Sequence, residues 1–552
     1  MIRFARGWSA ACLGLLLAPA VALAAPPPSK PKLVVAISVD QFALSLFQTY
    51  RPTYVGGLKR LADGLSFTGY QSHAATETCP GHSTILTGDH PARTGIVANN
   101  WYDRKTGSNI YCVSKVGIAD PLAKTGALLK VDTLGDWLRA TSPGSRSIAV
   151  SGKDRAAIMM GGHHATAIYW WEDGLGFGTS QYAGPATTAT LAPAKAFNKT
   201  LFASWKKSPP SLWPATVSAR CTALEKPFTF GKLELSGKIP PDSAKGLEKG
   251  KAWMADTAFQ NELRASPIFD PLALKFAETI VTARQLGKGP ATDLLAVSLS
   301  STDHIGHRFG SGGAEMCVQM AALDAALGEF FTRLDALKTP YVVMLTADHG
   351  GVDAAERLGK PATRVDVAAI SAGLAAHLRK TFDLAYDPLG GDDSRQVILN
   401  LAPDDEKRRP QMTKAVVAWL IKKPGVDQAF IADEIAAAGP KPDTPVEKLS
   451  VAERFHESFD RDRSGDVIVS YAEGASLGVP QGPGANIAGH GAPWDTDRRV
   501  PILFWWPGVT PVADTHSMET VDIAPTLAAV IGVKPPSVDG KCVDIGQGCP
   551  AK

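Results

Sequence analysis

The spacing of apolar and polar positions sorts this chain into elements. Leu33-Val34-Val35-Ala36-Ile37-Ser38-Val39 is a nearly continuous apolar run closed by Asp40, the pattern of a strand buried on both faces. Similar runs recur at 294–299, 341–345 and 500–505, and segments of helical period, such as 317–337 and 518–531, accompany them. Strands fed by helices predict an α/β protein with a mostly parallel central sheet sandwiched by helices. Two stretches break this rhythm: 187–251 is rich in Pro, Lys and Ser, and 356–480 mixes helical patterns with turns. The expected organisation is a single domain over residues 32–552, with those two inserts placed as a cap over a site.

The first 24 residues stand apart. Arg3 and Arg6 precede an apolar run at 10–23, and Ala22-Leu23-Ala24 has the small-x-small form a signal peptidase accepts. The expectation is a signal peptide, cleaved near Ala24, and a periplasmic or secreted mature chain. Cys12 stands before most of the apolar run, which argues against a lipoprotein anchor. No later stretch approaches the eighteen or so apolar residues of a spanning helix. The sequence sets no oligomeric state, and a monomer is the working expectation.

Composition narrows the classes further. Over 552 residues, 45% are hydrophobic and 20% charged, as in ordinary globular proteins rather than disordered ones. The formal charge is +3, which offers no electrostatic footprint for nucleic acid, so no nucleic-acid partner is expected. Six cysteines follow Cys12, none in a C-x-x-C pair, so a thiolate zinc cluster is not expected. Cys542 and Cys549 are close enough to staple the C-terminus, whereas the other pairings cannot be deduced.

Ligands gather at the carboxyl ends of strands in open α/β sheets. Three such ends here carry Asp: Asp40, Asp303 and Asp348. His349 adjoins Asp348, His304 and His307 follow Asp303, and His490 lies in Gly489-His490-Gly491. Carboxylates with imidazoles suit zinc or a similar divalent metal. Singly, each is more often a cap, a turn former or a satisfied core residue; jointly they match the ligand demand of two metals. Spacing alone leaves His304 and His307 as alternatives.

Thr76 to Gly88 reads as a helix start, with Pro80 suited to the first helical position and Gly88 to a C-terminal stop. That puts Thr78 at the positive end of a helix, as a nucleophile or merely a cap. Ser83 fails the nucleophile-elbow pattern because Ile85 stands where Gly is required. Lys153 and Arg155, two apart in extended chain, would both face one phosphate. The run from Asp460 to Asp466 imitates a calcium loop, but Tyr471 occupies its twelfth position, so a plain turn is expected.

Together these stretches resemble the alkaline phosphatase superfamily, and within it the bacterial Thr-nucleophile alkaline phosphatases of the PafA type. The resemblance rests on Ser38-Val39-Asp40, Thr78-Cys79-Pro80-Gly81-His82, Asn99-Asn100-Trp101-Tyr102, Gly152-Lys153-Asp154-Arg155, Ser301-Thr302-Asp303-His304-Ile305-Gly306-His307, Ala347-Asp348-His349-Gly350 and Gly489-His490-Gly491. It implies an alkaline-phosphatase-like catalytic domain with two Zn2+ per chain. One would be held by Asp303, His307 and His490, leaving His304 aside, and the other by Asp40, Asp348 and His349, with Thr78 as ligand and nucleophile. Asn99, Lys153 and Arg155 would contact phosphate oxygens, Asn99 being preferred to Asn100 for its distance from Thr78.

The implied activity is hydrolysis of small phosphate monoesters through a covalent phospho-threonine, with phosphodiesterase as a side activity. The Lys153/Arg155 pair favours monoesters over the related nucleotide pyrophosphatase/phosphodiesterase branch, which remains the alternative reading. An exported, non-catalytic phosphate-binding protein and a metal-free serine hydrolase are the other classes; the complete set of expected residues counts against the first, and the broken elbow at Ser83 against the second.

Overall fold

The protein is described from a computed structural model covering residues 26–550, apart from 29, 231–232, 240–255, 361 and 483. The signal-peptide expectation for residues 1–24 lies outside the described residues.

The four apolar runs become strands Leu33–Val39, Asp293–Leu299, Tyr341–Thr346 and Arg499–Trp505. They lie in one nine-stranded sheet, ordered from one edge to the other as Val512–Glu519, Leu65–Tyr70, Arg499–Trp505, Tyr341–Thr346, Leu33–Val39, Asp293–Leu299, Ser147–Ser151, Ala167–Glu172 and Gly176–Gly178. Leu33–Val39 runs parallel to both of its neighbours, whereas Arg499–Trp505 is antiparallel to both of its own. The fold is thus α/β with a mostly parallel central sheet flanked by helices.

Alternation along the central strand builds two apolar layers. Leu33, Val35, Ile37 and Val39 pack on one face with Phe276, Ile280, Leu323 and Phe330. Val34 and Ala36 face the other layer, with Ile85, Leu86 and Leu527. A strand covered on both sides has no solvated face to encode, which is why its sequence reads as a solid run.

Register brings the chemistry to one edge. Ser38 pairs with Ser298 on one side and Thr346 on the other, so Asp40, the 300–303 segment and Asp348 emerge side by side. Strand Leu65–Tyr70 points the same way as Tyr341–Thr346, because both are antiparallel to Arg499–Trp505. Its following loop therefore delivers Thr78 to that same edge.

Two expectations are corrected. The 518–531 segment is not one helix: the strand Val512–Glu519 and a turn of 3-10 helix precede the helix Ile523–Ile531. Helical period in that window comes only from its second half. Lys153 and Arg155 do not lie in one extended run: Lys153, itself extended, is the N-cap residue of the helix Asp154–Gly161, and Arg155 is the second residue of that helix.

The 187–251 stretch contains a long helix, Thr188–Lys207, with Pro193 inside it. Proline leaves the carbonyl four residues back without its helical donor; Arg284 donates to that carbonyl, Ala189 O, at 3.3 Å. The 356–480 stretch forms a four-stranded sheet of its own, ordered Leu389–Gly390, Gln396–Leu399, Val467–Tyr471, Val426–Ile431. Its separate apolar cluster includes Leu374, Leu378, Met412, Val416 and Val469. Three disulfides join Cys79 to Cys112, Cys221 to Cys317 and Cys542 to Cys549; the first two are pairings the sequence left open.

Candidate active site

The helix Thr78–Thr87 is buried along its whole length and ends at Gly88, whose φ of 74° is left-handed. Glu77 is its N-cap residue, so Thr78 is the first helical residue rather than the cap. Its hydroxyl therefore lies at the positive, N-terminal end of the helix, where negative charge is stabilised. Gly81 makes the docking possible: a Cβ there would lie 2.0 Å from Asp348 O. Ser83 points away from solvent and bonds Pro80 O at 2.7 Å and Thr94 Oγ1 at 3.0 Å, a structural role.

Two carboxylate–imidazole groups face this helix end. In the first, His307 Nε2 lies 3.1 Å from His490 Nε2, and Asp303 Oδ1 lies 3.3 and 3.4 Å from those two nitrogens. In the second, His349 Nε2 is 3.2 Å from Asp348 Oδ2 and 3.8 Å from Asp40 Oδ1. The rings of His349 and His490 stack with centroids 3.7 Å apart, so the groups adjoin. His349 also completes a set of potential metal donors with Asp303 and His490. His304 belongs to neither group; its ring lies against Phe269.

The donor chemistry fits divalent cations. Asp40 Oδ1, Asp303 Oδ1, Asp348 Oδ2 and His349 Nε2 are buried without hydrogen-bond partners, a costly state unless something else satisfies them. The contrasting group Asp132, Asp136 and His163 is saturated: Asp136 accepts from the Thr133, His163 and His164 amides, and His163 bonds Asp132 and Leu129 O.

Burial governs the site's charges. It would raise the Asp40 and Asp303 carboxyls, but Lys153, with Nζ 2.5 Å from each, holds both well below the usual range. Asp348 is pushed well above that range by burial and by Asp40. Burial keeps His349 neutral, with His490 adding to the effect, and neutral imidazole is the ligating form.

On the phosphate side, Arg155 Nη2 reaches Thr78 Oγ1 at 3.4 Å. Asn99 Oδ1 accepts from Cys79 N at 2.8 Å, which fixes Asn99 at the helix N-terminus; Asn100 is exposed at the start of a hairpin strand. Lys153 and Arg155 converge on the site from one helix start, though Lys153 spans the carboxylates while Arg155 meets the threonine.

The sequence left four contributors without roles. His82, one turn past Thr78, places Nδ1 3.1 Å from Asp348 Oδ2 and Nε2 3.0 Å from Ser298 Oγ. Its i, i+4 spacing from Thr78 was the available signal. Tyr111 donates to Asp154 Oδ1 at 2.6 Å and accepts from Arg155 Nη1 at 3.4 Å. Glu77 Oε2 accepts from Asn99 N at 2.8 Å. Arg395, from the 356–480 stretch, donates to His490 O at 2.5 Å. A cleft of about 480 Å³, lined by Asn99, Asn100, His307, Tyr471, Arg395 and His490, opens onto the groups.

This fold, with its paired ligand groups beside a helix-borne threonine, places the chain in the alkaline phosphatase superfamily. It belongs to the type I phosphodiesterase / nucleotide pyrophosphatase family, whose model matches residues 34–492. The chain is 39% identical to alkaline phosphatase PhoK of Sphingomonas sp, over 94% of its own length and 92% of that protein's. Against alkaline phosphatase PhoD of Zymomonas mobilis the identity is 38%, over 95% and 91% of the two chains. The crystal structure of alkaline phosphatase PafA superposes with a TM-score of 0.77 at 27% identity, covering 93% of this chain and 98% of that one. Among the described residues no helix is long and apolar enough to cross a membrane.

Proposed function

We propose that this protein is an exported zinc-dependent alkaline phosphatase that hydrolyses phosphate monoesters through a phospho-threonine on Thr78. The observation that carries the reading is that two carboxylate–imidazole groups with orphaned atoms lie beside the helix that begins at Thr78, whose hydroxyl has a guanidinium 3.4 Å away. The alkaline phosphatases named above, similar over nearly the whole chain, support it.

Asp303, His307 and His490 would hold one zinc, and Asp40, Asp348 and His349 with Thr78 the other. Bound zinc supplies Lewis acidity, favouring the ionised threonine hydroxyl and offsetting charge on the phosphoryl and departing oxygens. The chain supplies the rest. Thr78 Oγ1 attacks phosphorus, the ester oxygen leaves with the alcohol, and water later releases phosphate from the threonine. Arg155 is cationic at any working pH, held so by Tyr111 and Asp154 despite burial, and it faces the transferred oxygens beside Asn99. Lys153, buried and likewise held charged by Asp303 and Asp40, adds a second cation. Two fixed cations favour a monoester dianion over a diester, which carries one less charge.

Export rests on the 1–24 pattern and on the three disulfides, which suit an oxidising compartment. The second reading, a nucleotide pyrophosphatase/phosphodiesterase, is favoured by the description of the matched family and is compatible with the cleft of about 480 Å³ beside the site. One experiment decides: kcat/KM for an aryl phosphate monoester and its matched diester, with wild type and Thr78→Ala. The expected result is a preference for the monoester, and a loss of roughly a thousandfold or more in the variant while zinc still binds through the remaining ligands. A preference for the diester selects the second reading, and a Thr78→Ala protein with most of its activity rejects the nucleophile.

A further inference from the structure

We infer that Arg395 is a positioning residue that couples the 356–480 stretch to both halves of the active site, setting zinc retention through His490 and phosphate affinity through Glu77 and Asn99. The inference rests on the metal assignment proposed above.

The need for such a residue follows from the loop that carries His490. Glycines flank that histidine, and Gly491 is left-handed at φ 99°, so the neighbouring positions have no side chains with which to anchor the loop. The ring is held where Nδ1 meets Thr76 O at 2.8 Å. The His490 peptide is held by Arg395, whose Nη2 donates to its carbonyl at 2.5 Å. A Cβ at Gly491 would stand 2.7 Å from Arg395 Nη2, so the glycine admits the guanidinium against the backbone.

The other arm of the same guanidinium turns to the nucleophile helix. Arg395 Nη1 lies 3.6 Å from Glu77 Oε1, and Glu77 Oε2 accepts from Asn99 N at 2.8 Å. Asn99 in turn bonds the amide next to Thr78 through Cys79 N. Thus one planar cation spans a zinc ligand's backbone and the carboxylate that fixes the phosphate-side asparagine. Arginine suits this because its fork donates in two directions at once, which a lysine ammonium on a single stem does not match.

Arg395 is itself anchored. It lies just before the strand Gln396–Leu399; its amide donates to Asp393 Oδ1 at 2.9 Å, and its carbonyl accepts from Val469 N at 2.8 Å. Its position is therefore set by the second sheet and not by the catalytic edge. Outer partners of metal ligands commonly change affinity by about 10–100-fold, and here that leverage belongs to a residue outside the central sheet.

The test uses the full zinc-loaded chain as wild type, Arg395→Ala, Arg395→Lys and Glu77→Gln. Three quantities are read: transfer of zinc to a chromophoric chelator, the inhibition constant of inorganic phosphate, and the melting temperature. Arg395→Ala should give up zinc at about tenfold lower chelator concentration and bind phosphate severalfold more weakly, with a melting temperature close to wild type. Glu77→Gln should weaken phosphate but hold zinc as wild type does. Arg395→Lys should recover part of the zinc retention and little of the phosphate affinity.

Wild-type zinc transfer and phosphate inhibition in Arg395→Ala would overturn the inference. So would a change in both that merely tracks a fall in melting temperature, since that is a structural role alone. If Arg395→Ala does not fold, the other two variants decide, and wild-type behaviour in both rejects the coupling. A wild-type chain that holds no zinc defeats the metal reading instead, and the phosphate arm then judges Arg395 by itself.

Discussion

Asp270 touches no expected substrate atom, yet it fixes the helix that presents Asp303 and His307. Its Oδ1 accepts from Ser301 N at 2.9 Å, its Oδ2 from Gln319 Nε2 at 2.8 Å, and its own amide donates to Ser301 Oγ. Burial pushes its carboxyl up to about 6. Because the folded value lies above the unfolded one, the stability Asp270 contributes is complete below about pH 4 and is lost as pH rises through about 6. The loss is on the order of 2–3 kcal/mol at most. Gln319 Oε1 has no partner, so an amide at position 270 finds an acceptor. Asp270→Asn should therefore gain on wild type as pH rises from 4 to 6, by about 2–3 °C, and hold a constant margin above that. Thermal melts of both proteins across this range check it, and a margin independent of pH refutes it.

The nucleophile helix shows how one element's packing sets the chemistry. Its backbone meets the Asp348 segment at Gly81, where an added Cβ would collide with a backbone oxygen rather than a flexible side chain. Gly81→Ala should push the helix off that segment, costing about 1–3 kcal/mol in stability and roughly a hundredfold in kcat/KM as Thr78 shifts from its partners. Gly144→Ala is the control, since a Cβ there meets nothing within 4 Å, and equal activities in the two variants would reject the argument. The elements readable in the sequence are those whose burial leaves an unmistakable trace. Leu33–Val39, Asp293–Leu299, Tyr341–Thr346 and Arg499–Trp505 are apolar throughout their centres because helices cover both faces. Leu65–Tyr70 carries Ser66, Thr68 and Gly69, and Val512–Glu519 lies at the sheet edge with Asp514 and His516. Neither produces an apolar run. The strand-end carboxylates were legible because they close such runs. Glu77, Tyr111 and Arg395 were not, since their roles arise only when segments distant in sequence meet.

Across the whole molecule, the donor groups tie together segments from residue 40 to residue 490, and no single segment holds a complete set. Three buried carboxylates, Asp40, Asp303 and Asp348, face one ammonium, Lys153, which spans only the first two. Such a constellation gains from cations that bind the folded chain and not the unfolded one. At a free concentration a thousandfold above the dissociation constant, each site contributes about 4 kcal/mol. For a chain of 552 residues, with an unfolding entropy near 1.2 kcal/mol per degree, two sites correspond to about 7 °C. A strong chelator should thus lower the melting temperature by several degrees, and added zinc should restore it. Asp348→Asn removes a ligand from one group and should reduce the chelator's effect to about half. A chelator that leaves the wild-type melting temperature unmoved would mean that the buried carboxylates are satisfied without metal, and that the two groups do not bind cations as the orphaned atoms imply.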